Sequence, residues 1–159
     1  MTQPLEPDVL GGPNTWFLVL SRVRVARVQP NVPYVLISIT DPGTDPAQIA
    51  ESPLCMGVLR LQFFDVDIAY GGLRAPSEED AEAIVQFVRR YQSMADLIIC
   101  QCEAGISRSA GVAAALSRWL NGHDEEFFRR YLPNRLIYRL ILNRLGYPGV
   151  ILPPRFEME

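Results

Sequence analysis

Leu97-Ile98-Ile99-Cys100-Gln101 is a short apolar run that passes through a tight loop into an Ala-rich stretch from Ser109 to Leu120. Apolar residues at every position, rather than at alternate ones, suit a strand buried on both faces. Such a strand needs cover from other elements on either side, and the rest of the chain supplies candidates. Trp16-Phe17-Leu18-Val19-Leu20 and Tyr34-Val35-Leu36-Ile37-Ser38-Ile39 read as strands, and Val58 to Phe63 as a third, with Leu59, Leu61 and Phe63 on one face. Ser77 is a good N-cap with Asp80 three residues on, and Ala81, Ile84, Val85 and Val88 follow at helical spacing. The Ala-rich helix is ended by Asn121-Gly122, and two further helices are expected over 124–131 and 135–145, the latter with Leu136, Leu140 and Ile141 on one side. Strands alternating with helices predict an α/β fold: a central, mostly parallel sheet of four to five strands flanked by helices. Residues 21–29 fit either an edge strand or a short helix, and Asp41-Pro42-Gly43-Thr44-Asp45-Pro46 reads as a turn cluster.

Composition narrows the function classes. With 48% hydrophobic and 21% charged residues over 159 positions, the chain is expected to form one folded domain, 1–159, in which 1–14 is an extended lead-in. No apolar stretch approaches a bilayer span and no charged-then-apolar leader opens the chain, so no membrane partner is expected. Three cysteines leave at least one thiol unpaired, which suits a reducing cytoplasm. A net charge of −3 gives no basis for a nucleic-acid partner.

The chemistry concentrates in Cys102-Glu103-Ala104-Gly105-Ile106-Ser107-Arg108-Ser109. A loop between a buried strand and a helix lies where open α/β sheets place ligands. Inward-turned N–H groups and the helix dipole make an anion cradle there, and Gly105 permits the tight bend. Cys102 begins the loop in surroundings that favour the thiolate, the reactive form. Arg108 closes it and can hold two phosphate oxygens with its planar fork. Phosphoryl transfer spreads charge over equatorial oxygens, so a rigid ring of donors is a useful catalyst. Ser109 either caps the helix or donates to the sulfur of Cys102.

This octet resembles the Cys-x5-Arg-Ser/Thr signature of the cysteine-dependent protein tyrosine phosphatase superfamily. Its form, Cys-x-Ala-Gly-x-Ser-Arg-Ser, is similar to that of the dual-specificity branch, of bacterial or phage type. The resemblance implies a phosphatase-like loop in which residues Glu103, Ala104, Gly105, Ile106, Ser107 and Arg108 bind phosphate. It implies Cys102 as nucleophile and a phosphorylated protein as substrate, with no cofactor and no metal. Leu59-x-Leu61-x-Phe63-x-Asp65 is similar to the strand and loop that carry the family's general acid, which leaves Asp65 and Asp67 as candidates, 37 and 35 residues before Cys102. Leu132-Pro133-Asn134 resembles the family's Pro-Asn element, so the likeness runs over about residues 34–145. Low-molecular-weight tyrosine phosphatases carry the loop at the N-terminus, and position 102 argues against them. One departure stands out. The family's histidine before the nucleophile is Gln101 here, which can hydrogen-bond but cannot carry charge. The alternative reading is therefore a catalytically weak, pseudophosphatase module that recognises a phosphorylated partner.

The remaining candidates have plainer explanations. Glu78, Glu79 and Asp80 suit a helix first turn. Cys100 reads as a strand core residue or, less simply, a redox partner of Cys102; Cys55 reads as loop or core, and His123 as a surface turn residue. Arg129, Arg130, Arg135, Arg139 and Arg144 are expected to give one helix a basic face.

Overall fold

In the computed structural model, which describes residues 8–68 and 72–147, the apolar runs form a five-stranded sheet. Its strands are β1 (Leu10–Gly11), β2 (Trp16–Leu20), β3 (Tyr34–Thr40), β4 (Cys55–Gln62) and β5 (Leu97–Gln101), in the order β1-β2-β5-β3-β4. Four are parallel, and only the two-residue β1 pairs antiparallel, against β2. The sequence expectation of a mostly parallel sheet holds, and the third predicted strand starts three residues earlier than expected.

Alternation along each central strand divides the core in two. Phe17, Val19, Val35, Ile37, Ile98 and Cys100 face one side, packed with α2 (Glu78–Tyr91), α3 (Arg108–Asn121), α4 (Glu125–Arg130) and α5 (Arg135–Arg144). Leu18, Leu20, Tyr34, Leu36, Leu97 and Ile99 face the other, under α1 (Arg22–Val25) and the segment around Ala47, Ile49 and Leu54. Burial on both faces explains why β5 is continuously apolar. On β4, by contrast, half-buried and exposed residues alternate, as an edge strand allows. No helix among the described residues is long and apolar enough to cross a membrane.

Local signals acted where they were placed. Ser77 and Asp80 form a reciprocal capping box at the start of α2, and Ala81, Ile84, Val85 and Val88 are its buried stripe. Gly122 ends α3 at φ 88°, a left-handed conformation suited to glycine. Residues 21–29 resolve to the short α1, capped by Ser21.

Three expectations need correction. The stripe of α5 is Ile137, Tyr138, Ile141 and Leu142, with Leu136 and Leu140 only half-buried, because α5 packs against both α2 and α3. The five arginines make no single basic face: Arg129 and Arg130 lie on α4, the other three on α5, and Arg144 is paired with Glu82 of α2. His123 is half-buried rather than a plain surface residue, since its ring meets the Gly12 carbonyl at 2.7 Å and ties the lead-in to the end of α3.

Candidate active site

The loop from Cys102 to Ser107 leaves the C-terminal end of β5, which lies between β2 and β3, and enters α3 at Arg108. Its outer contacts are made by carbonyls. Arg22 N–H donates to the Glu103 carbonyl at 3.1 Å, Leu132 N–H to that of Ile106 at 3.1 Å, and Gly111 and Asn134 N–H groups to that of Ser107 at 2.8 Å each. The amides of the loop behave oppositely. Cys102 N–H donates to Leu20, but the N–H groups of residues 103–107 donate to no protein acceptor among the described residues. A loop anchored by its carbonyls, whose amides have no protein acceptor among the described residues, has the backbone arrangement that an anion cradle requires.

Two glycines make that shape possible. Gly105 has φ 71°, and a Cβ there would lie 2.5 Å from the Ser21 nitrogen, against backbone that cannot yield. Gly111 brings α3 against the 132–134 segment, where a Cβ would come within 2.6 Å of the Asn134 carbonyl.

Cys102 is buried, with its Sγ 3.0 Å from the Ser109 hydroxyl. Ser109 lies inside the first turn of α3, so it is not the cap; Ser107 occupies the cap position and makes no side-chain cap bond. Arg108 is also buried. Its Nη1 donates to Asp41 Oδ1 at 2.7 Å and to the Phe63 carbonyl at 2.8 Å, while Nε has no partner among the described residues. A guanidinium has two N–H groups on Nη1, and both are engaged, so the edge left for a bidentate ligand is the one that contains Nε.

Asp65 and Asp67 separate clearly. Asp65 is exposed beside the loop, where its Oδ1 accepts from Ser107 Oγ at 2.7 Å and from Asn134 Nδ2 at 2.9 Å. Asp67 instead accepts from the Arg135 N–H at 3.0 Å, at the N-terminus of α5 where an acid is favoured. Gln101 is fully buried, accepts from Ser38 Oγ, and donates to the Cys102 carbonyl at 3.1 Å. It therefore fixes the start of the loop with neutral groups. Burial pushes the Cys100 thiol far above its ordinary range, and the neighbouring Cys102 adds to the shift, which fits a core residue.

Three residues of the site were not assigned to it from the sequence. Asp41, read as part of a turn, is the ion partner of Arg108. Arg22, in the ambiguous segment, grips Glu103 through Nε at 3.0 Å and Nη2 at 3.3 Å and also donates to the Asp45 carbonyl. That guanidinium holds the Glu103 carboxyl below the usual carboxylate range, against the opposing effect of burial. Asn134 was noticed only as part of a similar tripeptide. Its fully buried side chain bonds Asp65, the Val66 carbonyl and the Ile137 N–H.

No family model matches the sequence, and no curated protein matches it significantly. Solved structures do match in fold. A mouse protein described as a dual specificity phosphatase, crystallised with zinc tungstate, superposes with a TM-score of 0.51 at 16% identity, over 94% of this chain and 99% of that one. Human DUSP28 superposes with a TM-score of 0.50 at 15% identity, over 85% and 93%. The chain therefore shares the fold of these two dual-specificity phosphatase structures. Within it, the Cys102–Arg108 loop occupies the carboxyl end of the central strand.

Proposed function

We propose that the protein is a cysteine-dependent phosphatase that hydrolyses phosphate monoesters on tyrosine, serine or threonine side chains of a protein substrate. The observation that carries this reading is the set of donors without a protein acceptor among the described residues: the N–H groups of residues 103–107, in the loop that Cys102 begins, and the buried Nε of Arg108, which closes it. Six such donors in one loop that begins with a thiol suit an ester of a tetrahedral dianion.

The reaction has two steps. The Cys102 thiolate attacks phosphorus in line, the bond to the ester oxygen breaks, and Asp65 gives that oxygen its proton. Asp65, now a carboxylate, takes a proton from water as the water attacks the cysteinyl phosphate, and the thiolate leaves with a hydrogen bond from Ser109. Negative charge on the transferring group is held by Arg108 and the loop amides throughout, without a metal ion.

Aryl-phosphate hydrolysis measured in the presence of a chelator tests the proposal. Turnover in the wild type and none in Cys102→Ser are expected; turnover that vanished with chelator and returned with metal would overturn the thiol mechanism. A second reading rests on Gln101, whose bonds to Ser38 and the Cys102 carbonyl give the loop no added charge. If phosphate binds but no aryl phosphate is turned over, the chain is a phosphate-recognition module.

A further inference from the structure

Arg108 is gripped by a carboxylate on the edge of its guanidinium opposite to Nε. The Asp41 Oδ1 lies 2.7 Å from Nη1, and the Asp41 side chain is 40% exposed while that of Arg108 is 6% exposed. The remaining N–H of Nη1 is taken by the Phe63 carbonyl at 2.8 Å. Together these two acceptors fix the plane of the guanidinium and leave its other bidentate edge for ligand oxygens. They differ in one respect. Phe63 contributes a neutral oxygen, whereas Asp41 brings a negative charge to a cup suited to a dianion.

Asp41 is itself held in place. Its backbone N–H contacts the Glu103 carboxylate, which is in turn gripped by Arg22. Its carbonyl accepts from Thr44 N–H at 3.2 Å and from Thr44 Oγ1 at 2.6 Å. With its backbone held on both sides and its carboxylate bonded to Arg108 Nη1, Asp41 stays next to the cup when a phosphate arrives, so repulsion between the carboxylate and the bound dianion persists at intermediate effective dielectric.

We infer that Asp41 is a positioning residue with two separable effects: its oxygen orients Arg108 for the transferring phosphoryl group, and its charge weakens the hold of the cup on inorganic phosphate so that product leaves. The inference rests on the phosphatase reading above. It assigns to Asp41 no contact with substrate. A site of amides and arginine alone would bind the product dianion tightly and release it slowly. A fixed carboxylate behind the arginine offsets part of that attraction without removing any donor.

Asp41→Asn and Asp41→Ala separate the two effects. Asparagine keeps an oxygen for Nη1 and removes the charge; alanine removes both. Titration of each protein with inorganic phosphate by calorimetry, with KM and kcat for an aryl phosphate measured in parallel, provides the test. In Asp41→Asn, the phosphate dissociation constant and KM are expected to fall about tenfold, consistent with one charge interaction at intermediate dielectric. In Asp41→Ala, kcat is expected to fall as well, because Arg108 loses its orientation. General damage to the site would raise KM and weaken phosphate binding together, so tighter binding in Asp41→Asn is the diagnostic result. Unchanged or weaker phosphate binding in Asp41→Asn overturns the inference even if the wild type is an active phosphatase. Wild-type protein that binds no phosphate overturns the phosphatase reading itself, and the inference with it.

Discussion

Asn134 Nδ2 donates to Asp65 Oδ1 at 2.9 Å, so the candidate acid is held by a residue that is 69 positions away and fully buried. The same side chain accepts from Ile137 N–H at 2.9 Å as the N-cap of α5, and the Asn134 backbone N–H donates to the Ser107 carbonyl. One asparagine therefore joins the acid loop, the phosphate loop and the last described helix. Asn134→Ala is expected to lose about 1–3 kcal/mol of stability, the typical effect of removing a helix cap and stranding buried partners. It should also slow hydrolysis of alkyl phosphates more than that of aryl phosphates bearing an acidic phenol, since only the former need a positioned acid. Urea unfolding and the ratio of the two rates measure these effects. Lost stability with an unchanged rate ratio would reduce Asn134 to a cap.

The pairing of Glu103 with Arg22 carries a pH signature. The guanidinium keeps the folded-state carboxyl below its ordinary value, so the unfolded chain binds this proton more readily than the folded one. The resulting stabilisation is complete above the ordinary glutamate value of about 4.3 and is lost as pH falls through the lower folded value. Urea midpoints of wild type and Glu103→Gln, followed from pH 7 to pH 3, are expected to differ most at the neutral end and to converge at the acid end. A gap of constant size down to pH 3 would mean that the ion pair contributes nothing.

What was legible in the sequence was local. The octet from Cys102 to Ser109, the Ser77–Asp80 capping box, the Gly122 stop and the strands were readable because each is determined by neighbours within a few residues. Asp41, Arg22 and Asn134 were harder, because each acts on a partner 67 to 81 positions away and is chemically ordinary where it stands. Asp41 precedes Pro-Gly, a strong turn signal, and that signal concealed its position at the end of β3 next to the cup. Register along β4 did favour Asp65, but separating it from Asp67 required the position of α5, whose N-terminus accommodates Asp67. The basic face failed for a related reason: the five arginines from 129 to 144 span a break at residues 131–134 between two helices.

Replacing Arg108 by lysine keeps the charge and removes the fork. The native guanidinium is held at Nη1 by Asp41 and Phe63 and presents Nε from a buried position. An ammonium at that depth cannot satisfy both fixed acceptors and span two phosphoryl oxygens. Arg108→Lys is expected to lose most aryl-phosphatase activity while remaining folded, as judged by circular dichroism. Near-wild-type turnover in that variant would mean that the transition state is not held by the fork.

The two aspartates give the sharpest division, since the structure places them in different surroundings two residues apart. Asp65 stands exposed beside Ser107 of the loop, whereas Asp67 is directed to the backbone of Arg135. Asp65→Asn is expected to lower the rate on a phosphoserine peptide by about 10²–10⁴-fold, the usual contribution of general acid catalysis. Its effect should be much smaller on an aryl phosphate whose phenol departs without a proton. The basic limb of the pH–rate profile, which reports loss of the acid's proton, should disappear in the same variant. Asp67→Asn should preserve the limb and the leaving-group dependence, and its effect should appear instead as a loss of roughly 0.3–1 kcal/mol in stability from the N-terminus of α5. If Asp67→Asn abolished the limb and Asp65→Asn kept it, the tether from Asn134 to Asp65 would not be the means by which the acid is positioned.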